Sequence, residues 1–135
     1  MKIDGACHCG QISYEADVDP DKVLICHCTD CQALSGTAFR TVLPILESKF
    51  RLLSGTPKVY VKIGESGNRR EQTFCGDCGS PLYAAPADPD GERVLNLRLG
   101  TARQRHDLVP KLQVWHRSAL GWLPEISGMR SKDKQ

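Results

Sequence analysis

The sequence has few aromatic residues, no surplus of charge of either sign and no long hydrophobic run. Phe, Trp and Tyr make up 6% of the 135 residues, and 18 basic against 16 acidic side chains leave a net charge of +2. This balance gives no electrostatic reason to predict binding to nucleic acid or to an anionic membrane. No stretch approaches the roughly 18 consecutive apolar residues of a membrane-spanning helix, so we predict no membrane segment.

The amino terminus also lacks the apolar segment of a secretory signal peptide, because it reads Met1-Lys2-Ile3-Asp4-Gly5. We therefore expect a cytoplasmic, reducing location, where clustered cysteines are more often metal ligands or catalytic groups than disulfide partners. Cysteine is the residue type present in unusual number. The chain has seven cysteines, and this odd number excludes a scaffold in which every cysteine is disulfide-bonded. They are Cys7, Cys9, Cys26, Cys28, Cys31, Cys75 and Cys78.

Alternating apolar residues and frequent turn signals predict a mainly β protein of many short strands. Pro44 is expected to end one strand, residues 54–57 to form a turn between two strands, and residues 64–68 to form a hairpin turn. The predicted strands cover residues 11–18, 37–43, 50–53, 59–63, 69–74, 82–85 and 94–99.

One short helix is predicted over residues 29–35, capped by Thr29 or Asp30 and ended by Gly36. Residues 103–123 leave room for one further short helix or strand. We expect residues 1–126 to form a single zinc-binding β domain and residues 127–135 to form a flexible tail, because the tail is polar and has no periodicity.

The cysteine spacing is typical of metal binding. Two residues between cysteines let both sulfurs face one ion, and structural zinc sites commonly combine two such short pairs from distant segments. In one grouping, four cysteines form a closed structural site, namely Cys7, Cys9, Cys75 and Cys78. The other three form a second site with an open position, namely Cys26, Cys28 and Cys31.

A second grouping places Cys75 and Cys78 with the middle cluster and leaves the first pair unused. The count favours the first grouping, since it uses every cysteine. A simpler alternative is a single structural zinc with unused remaining thiols. These possibilities differ in function, because three protein ligands and an open position are typical of catalytic zinc, whereas four ligands are typical of structural zinc.

Three segments resemble the motifs of the glutathione-dependent formaldehyde-activating enzyme family, which also includes centromere-protein-V-like members. They resemble the G-x-C-x-C-G-x-V-x-Y, C-H-C-x-x-C-x-x-x-x-G and F-C-x-x-C-G-[ST] motifs of that family. The matching stretches are Gly5-Ala6-Cys7-His8-Cys9-Gly10-Gln11-Ile12-Ser13-Tyr14, Cys26-His27-Cys28-Thr29-Asp30-Cys31 with Gly36, and Phe74-Cys75-Gly76-Asp77-Cys78-Gly79-Ser80.

The resemblance implies an Mss-four-like fold of coiled antiparallel β-sheets with cysteine-bound zinc. It implies a structural zinc on the first and last cysteine pairs and a labile, catalytic zinc on Cys26, Cys28 and Cys31. It also implies a small-molecule thiol as substrate. The expected activity is that of a carbon–sulfur lyase, which joins formaldehyde to glutathione or cleaves the adduct S-(hydroxymethyl)glutathione.

Other residues are weaker candidates. A histidine between two ligand cysteines of an extended strand points away from the metal, so we expect His8 and His27 to lie outside the metal sites. His106 is expected to be exposed, and His116 to line a pocket or pack beside Trp115. We expect both tryptophans in the core. Guanidinium groups that could bind substrate carboxylates are Arg40, Arg69, Arg70 and Arg98.

A function of another class is also consistent with these residues. The chain would then be a non-catalytic, zinc-stabilised binding module with one structural zinc. The three-cysteine cluster discriminates between the enzyme and the binding module, because a structural scaffold needs only one closed metal site.

Overall fold

The computed structural model describes all 135 residues and has a mainly β architecture with two sheets. The predicted fold class is therefore confirmed. None of the helices is long and apolar enough to cross a membrane. The strands are β1 (Lys2–Ala6), β2 (Ser13–Asp17), β3 (Leu24–Cys26), β4 (Arg40–Leu46), β5 (Phe50–Ser54), β6 (Lys58–Ile63), β7 (Arg69–Phe74), β8 (Pro81–Pro86), β9 (Val94–Arg98) and β10 (Leu112–Val114).

The helices are short. The single α-helix, α1, spans Thr29–Ser35 as predicted and ends at Gly36, whose φ of 69° lies in the left-handed region that glycine adopts at low cost. The predicted cap was wrong, because the side chain of Cys28 accepts the hydrogen bond from the Cys31 amide. Five 3-10 helices span Pro20–Lys22, Glu47–Lys49, Leu99–Thr101, His116–Ser118 and Leu123–Gly128.

The two sheets pack around one core. The small sheet has the order β1-β2-β5, and the large sheet has the order β10-β3-β4-β9-β8-β7-β6. All neighbouring strands are antiparallel except β10 and β3, which run parallel. Ile3 and Tyr14 of the small sheet and Leu43 and Leu97 of the large sheet belong to one buried cluster.

The other face of the large sheet positions the functional groups. Side chains alternate between the faces of a strand, and directly opposed residues of neighbouring strands share a face. Since Leu43 and Leu97 face the core, Arg40 and Arg98 lie on the opposite face. Cys26 is directly opposite Arg40 and therefore shares that face.

Three predictions about strand boundaries need correction or completion. Strand β4 continues through Pro44 to Leu46, because β3 no longer pairs with it beyond Val42 and a residue without an amide hydrogen is tolerated there. The two strands flanking residues 54–57 belong to different sheets. Within residues 103–123, the structure contains strand β10 and the 3-10 helix His116–Ser118.

Candidate metal centres and the adjoining cavity

Four cysteines from two distant turns lie together at the end of the core. Cys7 and Cys9 belong to the turn after β1, and Cys75 and Cys78 belong to the turn between β7 and β8. All four sulfurs lie within 4.8 Å of one another. The Sγ atoms of Cys7 and Cys9 are 3.6 Å apart, and those of Cys9 and Cys75 are 3.7 Å apart.

Both turns are closed by backbone hydrogen bonds and contain a glycine with positive φ. The amide of Gly10 donates to the Cys7 carbonyl at 3.0 Å, and the amide of Gly79 donates to the Cys75 carbonyl at 2.8 Å. Their φ angles of 80° and 77° are unfavourable for residues with a Cβ. The glycines therefore allow each pair of sulfurs to face the same point.

The geometry of this four-thiol cluster fits zinc. A regular tetrahedron with Zn–S bonds of about 2.3 Å places its sulfurs roughly 3.8 Å apart. The observed separations of 3.6 and 3.7 Å are close to that value. They far exceed the ~2.05 Å bond of a disulfide. Four thiols of this spacing would complete the coordination shell of a structural zinc ion.

The remaining three cysteines form a second cluster at the end of β3 and the start of α1. The sulfurs of Cys26, Cys28 and Cys31 lie within 4.8 Å of one another. The Cys31 amide donates to Cys28 Sγ at 3.2 Å. The alternative grouping, with Cys75 and Cys78 in this cluster, is not found. Three thiols would leave one position of a tetrahedral ion open, and these thiols border a cavity of about 280 Å³.

The thiols of the second cluster differ in proton affinity. A hydrogen bond from Cys31 lowers the pKa of Cys26 to about 5, with help from Cys28 and from the positive charge of Arg98. The same hydrogen bond, together with burial, raises the pKa of Cys31. The surroundings of the cluster therefore favour the thiolate form of Cys26 and the protonated form of Cys31. Thiolates are the form that binds metal ions.

A similar hydrogen bond acts in the four-thiol cluster. The Ser80 side chain lies 3.3 Å from Cys78 Sγ and lowers the pKa of that thiol to about 5. Ser80 Oγ also accepts the amide hydrogen of His8 at 3.0 Å. Ser80 thereby connects the two turns that supply the four sulfurs.

Three of the four predicted arginines line the cavity beside the three-thiol cluster. Arg40, Arg70 and Arg98 contribute to its wall. Arg69 does not, because its side chain points to the exposed Asp88, with a closest N···O distance of 3.4 Å. The alternation of side chains along β7 explains why neighbouring arginines separate in this way.

Sequence analysis missed one central residue of the cavity. The Gln72 side chain is buried, and its Oε1 accepts hydrogen bonds from Arg40 at 3.1 Å and from Arg98 at 3.3 Å. Gln72 lies two residues after Arg70 on β7, so strand alternation places both on one face. Recognising this position requires the pairing of β7, β8 and β9, which the sequence alone does not provide.

The histidines lie outside both clusters, as predicted for His8 and His27. His27 is buried on the side of β3 away from Cys26, and its Nε2 lies 2.7 Å from Gln113 Oε1. Its ring is 5.6 Å from that of His116, and both histidines line a second cavity, separate from the one beside the three-thiol cluster. His106 is exposed, as expected.

The predicted core position of the tryptophans was wrong. Trp115 is 46% exposed and Trp122 is 49% exposed. Trp115 lies at the edge of the cavity beside the three-thiol cluster, next to Val114 of β10. Its φ of 54° is the single positive value among non-glycine residues. Bulky residues rarely adopt this conformation, and they do so most often at functional sites.

A four-thiol cluster and a three-thiol cluster on paired β-sheets define a class of β protein with cysteine clusters that could hold metal ions. The family model described as glutathione-dependent formaldehyde-activating enzyme matches residues 2–118. The chain belongs to this family, which confirms the resemblance of its three cysteine motifs.

A solved structure supports the fold independently. The crystal structure of a Rhodobacter sphaeroides protein matches with a TM-score of 0.63 and 18% sequence identity. The match covers 82% of this chain and 99% of that chain. At this identity the likeness concerns the fold alone.

Proposed function

We propose that this protein is a carbon–sulfur lyase that binds a glutathione-like thiol at Cys26, Cys28 and Cys31. It forms or cleaves the adduct of that thiol with formaldehyde. The observation that carries the proposal is the contrast between the two clusters, since one groups four sulfurs and the other groups three beside a cavity. Membership of the family supports the same chemistry.

The proposed cofactors are two zinc ions of different roles. Cys7, Cys9, Cys75 and Cys78 would hold a structural ion, and Cys26, Cys28 and Cys31 would hold a more labile one. A zinc ion bound by three thiolates supplies an open coordination position that favours the thiolate form of a substrate over its thiol.

The reaction is an addition without oxidation or reduction. The substrate sulfur forms a bond to the aldehyde carbon, the carbonyl π bond breaks, and the thiol proton ends on the resulting hydroxyl oxygen. The reverse reaction returns that proton to sulfur as the carbon–sulfur bond breaks. The chain contributes by holding the sulfur beside the cavity, where the guanidinium groups of Arg40 and Arg98 are within the same wall.

The seven thiols support a reducing, cytoplasmic location for this activity. All seven are free, and none lies in a disulfide. An oxidising compartment would pair such closely spaced thiols and remove the metal ligands.

The Cys28→Ser variant tests the catalytic cluster. We expect its zinc content to fall from two ions per chain to one and its activity to disappear. The fold should persist, because serine is a favourable residue at a helix N-cap and can replace the contact that Cys28 makes with the Cys31 amide. Atomic absorption gives the zinc count, and circular dichroism reports the fold.

Exchange between free and glutathione-bound formaldehyde, followed by NMR, measures the activity directly. Wild-type protein should accelerate the exchange, and the Cys28→Ser variant should not. Equal exchange rates with and without wild-type protein would disprove the proposed activity. A wild-type chain that holds only one zinc ion would instead support a non-catalytic, zinc-stabilised module.

A further inference from the structure

We propose that strand β6 pairs with β6 of a second copy of this chain, so that the protein forms a two-fold symmetric dimer. The pairing would join the two large sheets edge to edge and bring Tyr60 of the second copy beside Lys62, which lines the cavity at the three-thiol cluster. This inference does not depend on the proposed function, because its test measures association of the chain and involves neither thiol binding nor formaldehyde exchange.

Strand β6 is an open edge of the large sheet. It spans Lys58–Ile63, pairs with β7 on one side and has no neighbouring strand on the other. The remaining edge strands of the two sheets, β1, β5 and β10, are shorter. An uncovered edge offers its free amide hydrogens and carbonyl oxygens to another extended segment.

The hydrogen bonds of β7 show which backbone groups of β6 face outward. The Ala87 amide donates to the Arg69 carbonyl at 3.0 Å, so the backbone of Arg69 faces β8 rather than β6. Ile63 lies directly opposite Arg69 and therefore directs its own amide and carbonyl away from β7. Since this orientation alternates along an antiparallel strand, the backbone groups of Val59 and Val61 also face outward.

The side chains of the same three residues form an apolar row. Val59, Val61 and Ile63 share one face of β6, because side chains alternate along a strand. They are 50%, 37% and 72% exposed. β-Branched residues are favourable where they pack against a neighbouring strand, so this row is typical of a strand that is paired on both sides.

One register of antiparallel self-pairing satisfies all of these groups. With the two-fold axis at Val61, this residue meets its own copy, and Val59 meets Ile63 of the second copy. These are the residues whose backbone faces outward, so each facing pair can exchange two hydrogen bonds. The apolar side chains of both copies then lie next to one another across the axis.

Charge disfavours the neighbouring registers. An axis at Tyr60 brings Lys58 opposite Lys62 of the second copy, and an axis at Lys62 brings that lysine opposite its own copy. Like charges directly opposite each other destabilise a strand pair. The axis at Val61 instead brings Lys62 opposite Tyr60 of the second copy, where the lysine can lie against an aromatic ring.

The lysines of β6 do not protect the edge. A lysine that extends from an edge strand can prevent pairing. The ammonium group of Lys62 is instead paired with Asp30 of α1. The stem of Lys58 lies against Gly76, where an added Cβ would be 2.7 Å from the Lys58 Cδ. Both lysine side chains thus contact their own chain and leave the edge of β6 open.

Sedimentation equilibrium of the wild-type protein over a range of concentrations tests the inference. A single strand pair makes a small interface, and small interfaces associate weakly. We expect the weight-average mass to be that of one chain at about 1 µM and to approach that of two chains at about 500 µM. Protein that stays monomeric throughout would overturn the proposal and leave the edge to an extended segment of another protein.

Hydrogen exchange locates the interface. The amide hydrogens of Val59, Val61 and Ile63 should exchange more slowly at the higher concentration, because the second copy would accept them. A dimer in which the exchange of these three amides does not change would show that the copies associate through another surface.

Val61→Lys puts two like charges on the two-fold axis. It should raise the dissociation constant at least about 10-fold, and the fold should persist because Val61 is exposed at a sheet edge. Leu53→Lys is the matched control, since Leu53 is likewise an exposed apolar residue on an edge strand, β5 of the small sheet, and should leave association unchanged. A dimer that is unaffected by Val61→Lys would contradict the proposal.

A pair of opposite charges tests the register. Val59→Glu alone and Ile63→Lys alone should each weaken association, because each removes an apolar contact. Protein that carries both substitutions should associate more tightly than either single variant, since position 59 lies opposite position 63 of the second copy and the two charges attract. No recovery in the double variant would rule out the register centred on Val61.

Discussion

At the scale of single residues, the cysteines and arginines of the site contact neighbours whose roles the cysteine spacing does not reveal. Ser80 donates to a thiol of one cluster, and Gln72 accepts from two arginines beside the other. The cysteine spacing predicted metal binding because closely spaced cysteine pairs in a reducing compartment most often bind metal ions. Ser80 closes the third cysteine motif, but its contacts with Cys78 and with the amide of His8 follow only from the tertiary structure. Gln72 lies outside the three motifs, and its contacts with Arg40 and Arg98 likewise follow only from the tertiary structure.

Trp115 provides a prediction at the same scale. Its φ of 54° and ψ of 34° are left-handed, a conformation that costs residues with a Cβ about 1–2 kcal/mol. Trp115→Gly and Trp115→Ala both remove the ring, so they differ mainly in this backbone cost. We expect the glycine variant to be more stable than the alanine variant by about 1 kcal/mol in chemical unfolding. The opposite order, which is usual elsewhere, would show that the backbone at residue 115 is not strained.

At the scale of secondary-structure elements, alternation along strands explains both the core and the site. The predicted alternation of residues 94–99 is confirmed, with Leu95 and Leu97 in the core and Arg98 on the cavity face. Alternation alone does not indicate that the polar face is also buried, because charged residues usually remain exposed, yet Arg40 and Arg98 are buried. Residues of α1 and Trp115 line the same cavity as these arginines, and this arrangement is tertiary and does not follow from the strand pattern.

The four-thiol cluster joins elements of both sheets, and its removal should unfold the protein. Cys7 and Cys9 follow β1 of the small sheet, whereas Cys78 precedes β8 of the large sheet. Structural zinc in small domains contributes about 10–16 kcal/mol of apparent binding free energy, as much as the whole stability of a typical domain. We expect the Cys78→Ser variant to lose its cooperative thermal transition, measured by circular dichroism. A folded variant that retains two zinc ions would contradict this role.

The contact between β1 and the 3-10 helix Leu99–Thr101 depends on a glycine. A Cβ at Gly5 would overlap the Tyr14 hydroxyl oxygen and would lie 2.5 Å from the Thr101 carbonyl oxygen. Gly5→Ala should therefore destabilise the protein by about 2 kcal/mol, measured by urea unfolding. Gly100→Ala is the matched control, because a Cβ there meets nothing within 4 Å. Equal stability of both variants would show that β1 moves freely at this contact.

At the scale of the whole molecule, the order of elements explains how distant parts of the chain form each cluster. The four-thiol cluster unites residues near position 8 with residues near position 76, and the three-thiol cluster is local to β3 and α1. Local spacing was enough to predict that Cys26, Cys28 and Cys31 lie together. Whether Cys75 and Cys78 joined Cys7 and Cys9 or joined the middle cluster stayed open in the sequence, because only the packing of the two sheets brings the ends of β1 and β7 together.

The carboxyl-terminal residues provide a prediction at this scale. The chain after Gly128 is exposed and has no helix or strand. None of residues 129–135 contributes to either thiol cluster or to the cavity beside the three thiols. Removing residues 129–135 should change the melting temperature by less than about 2 °C and leave two zinc ions per chain. A larger loss of stability or of metal would place these residues within the folded domain rather than in a flexible tail.

Strand β4 contributes side chains both to the core and to the cavity, and this restricts where residues can be inserted into the chain. Arg40 and Val42 of β4 face the cavity, whereas Leu43 and Ile45 face the core. One inserted residue within this strand would exchange the two sets, placing a guanidinium group among leucines and an apolar side chain at the site. Insertions should therefore be tolerated in exposed turns, such as residues 64–68. Insertions within β4 should instead abolish both stable folding and binding at the site.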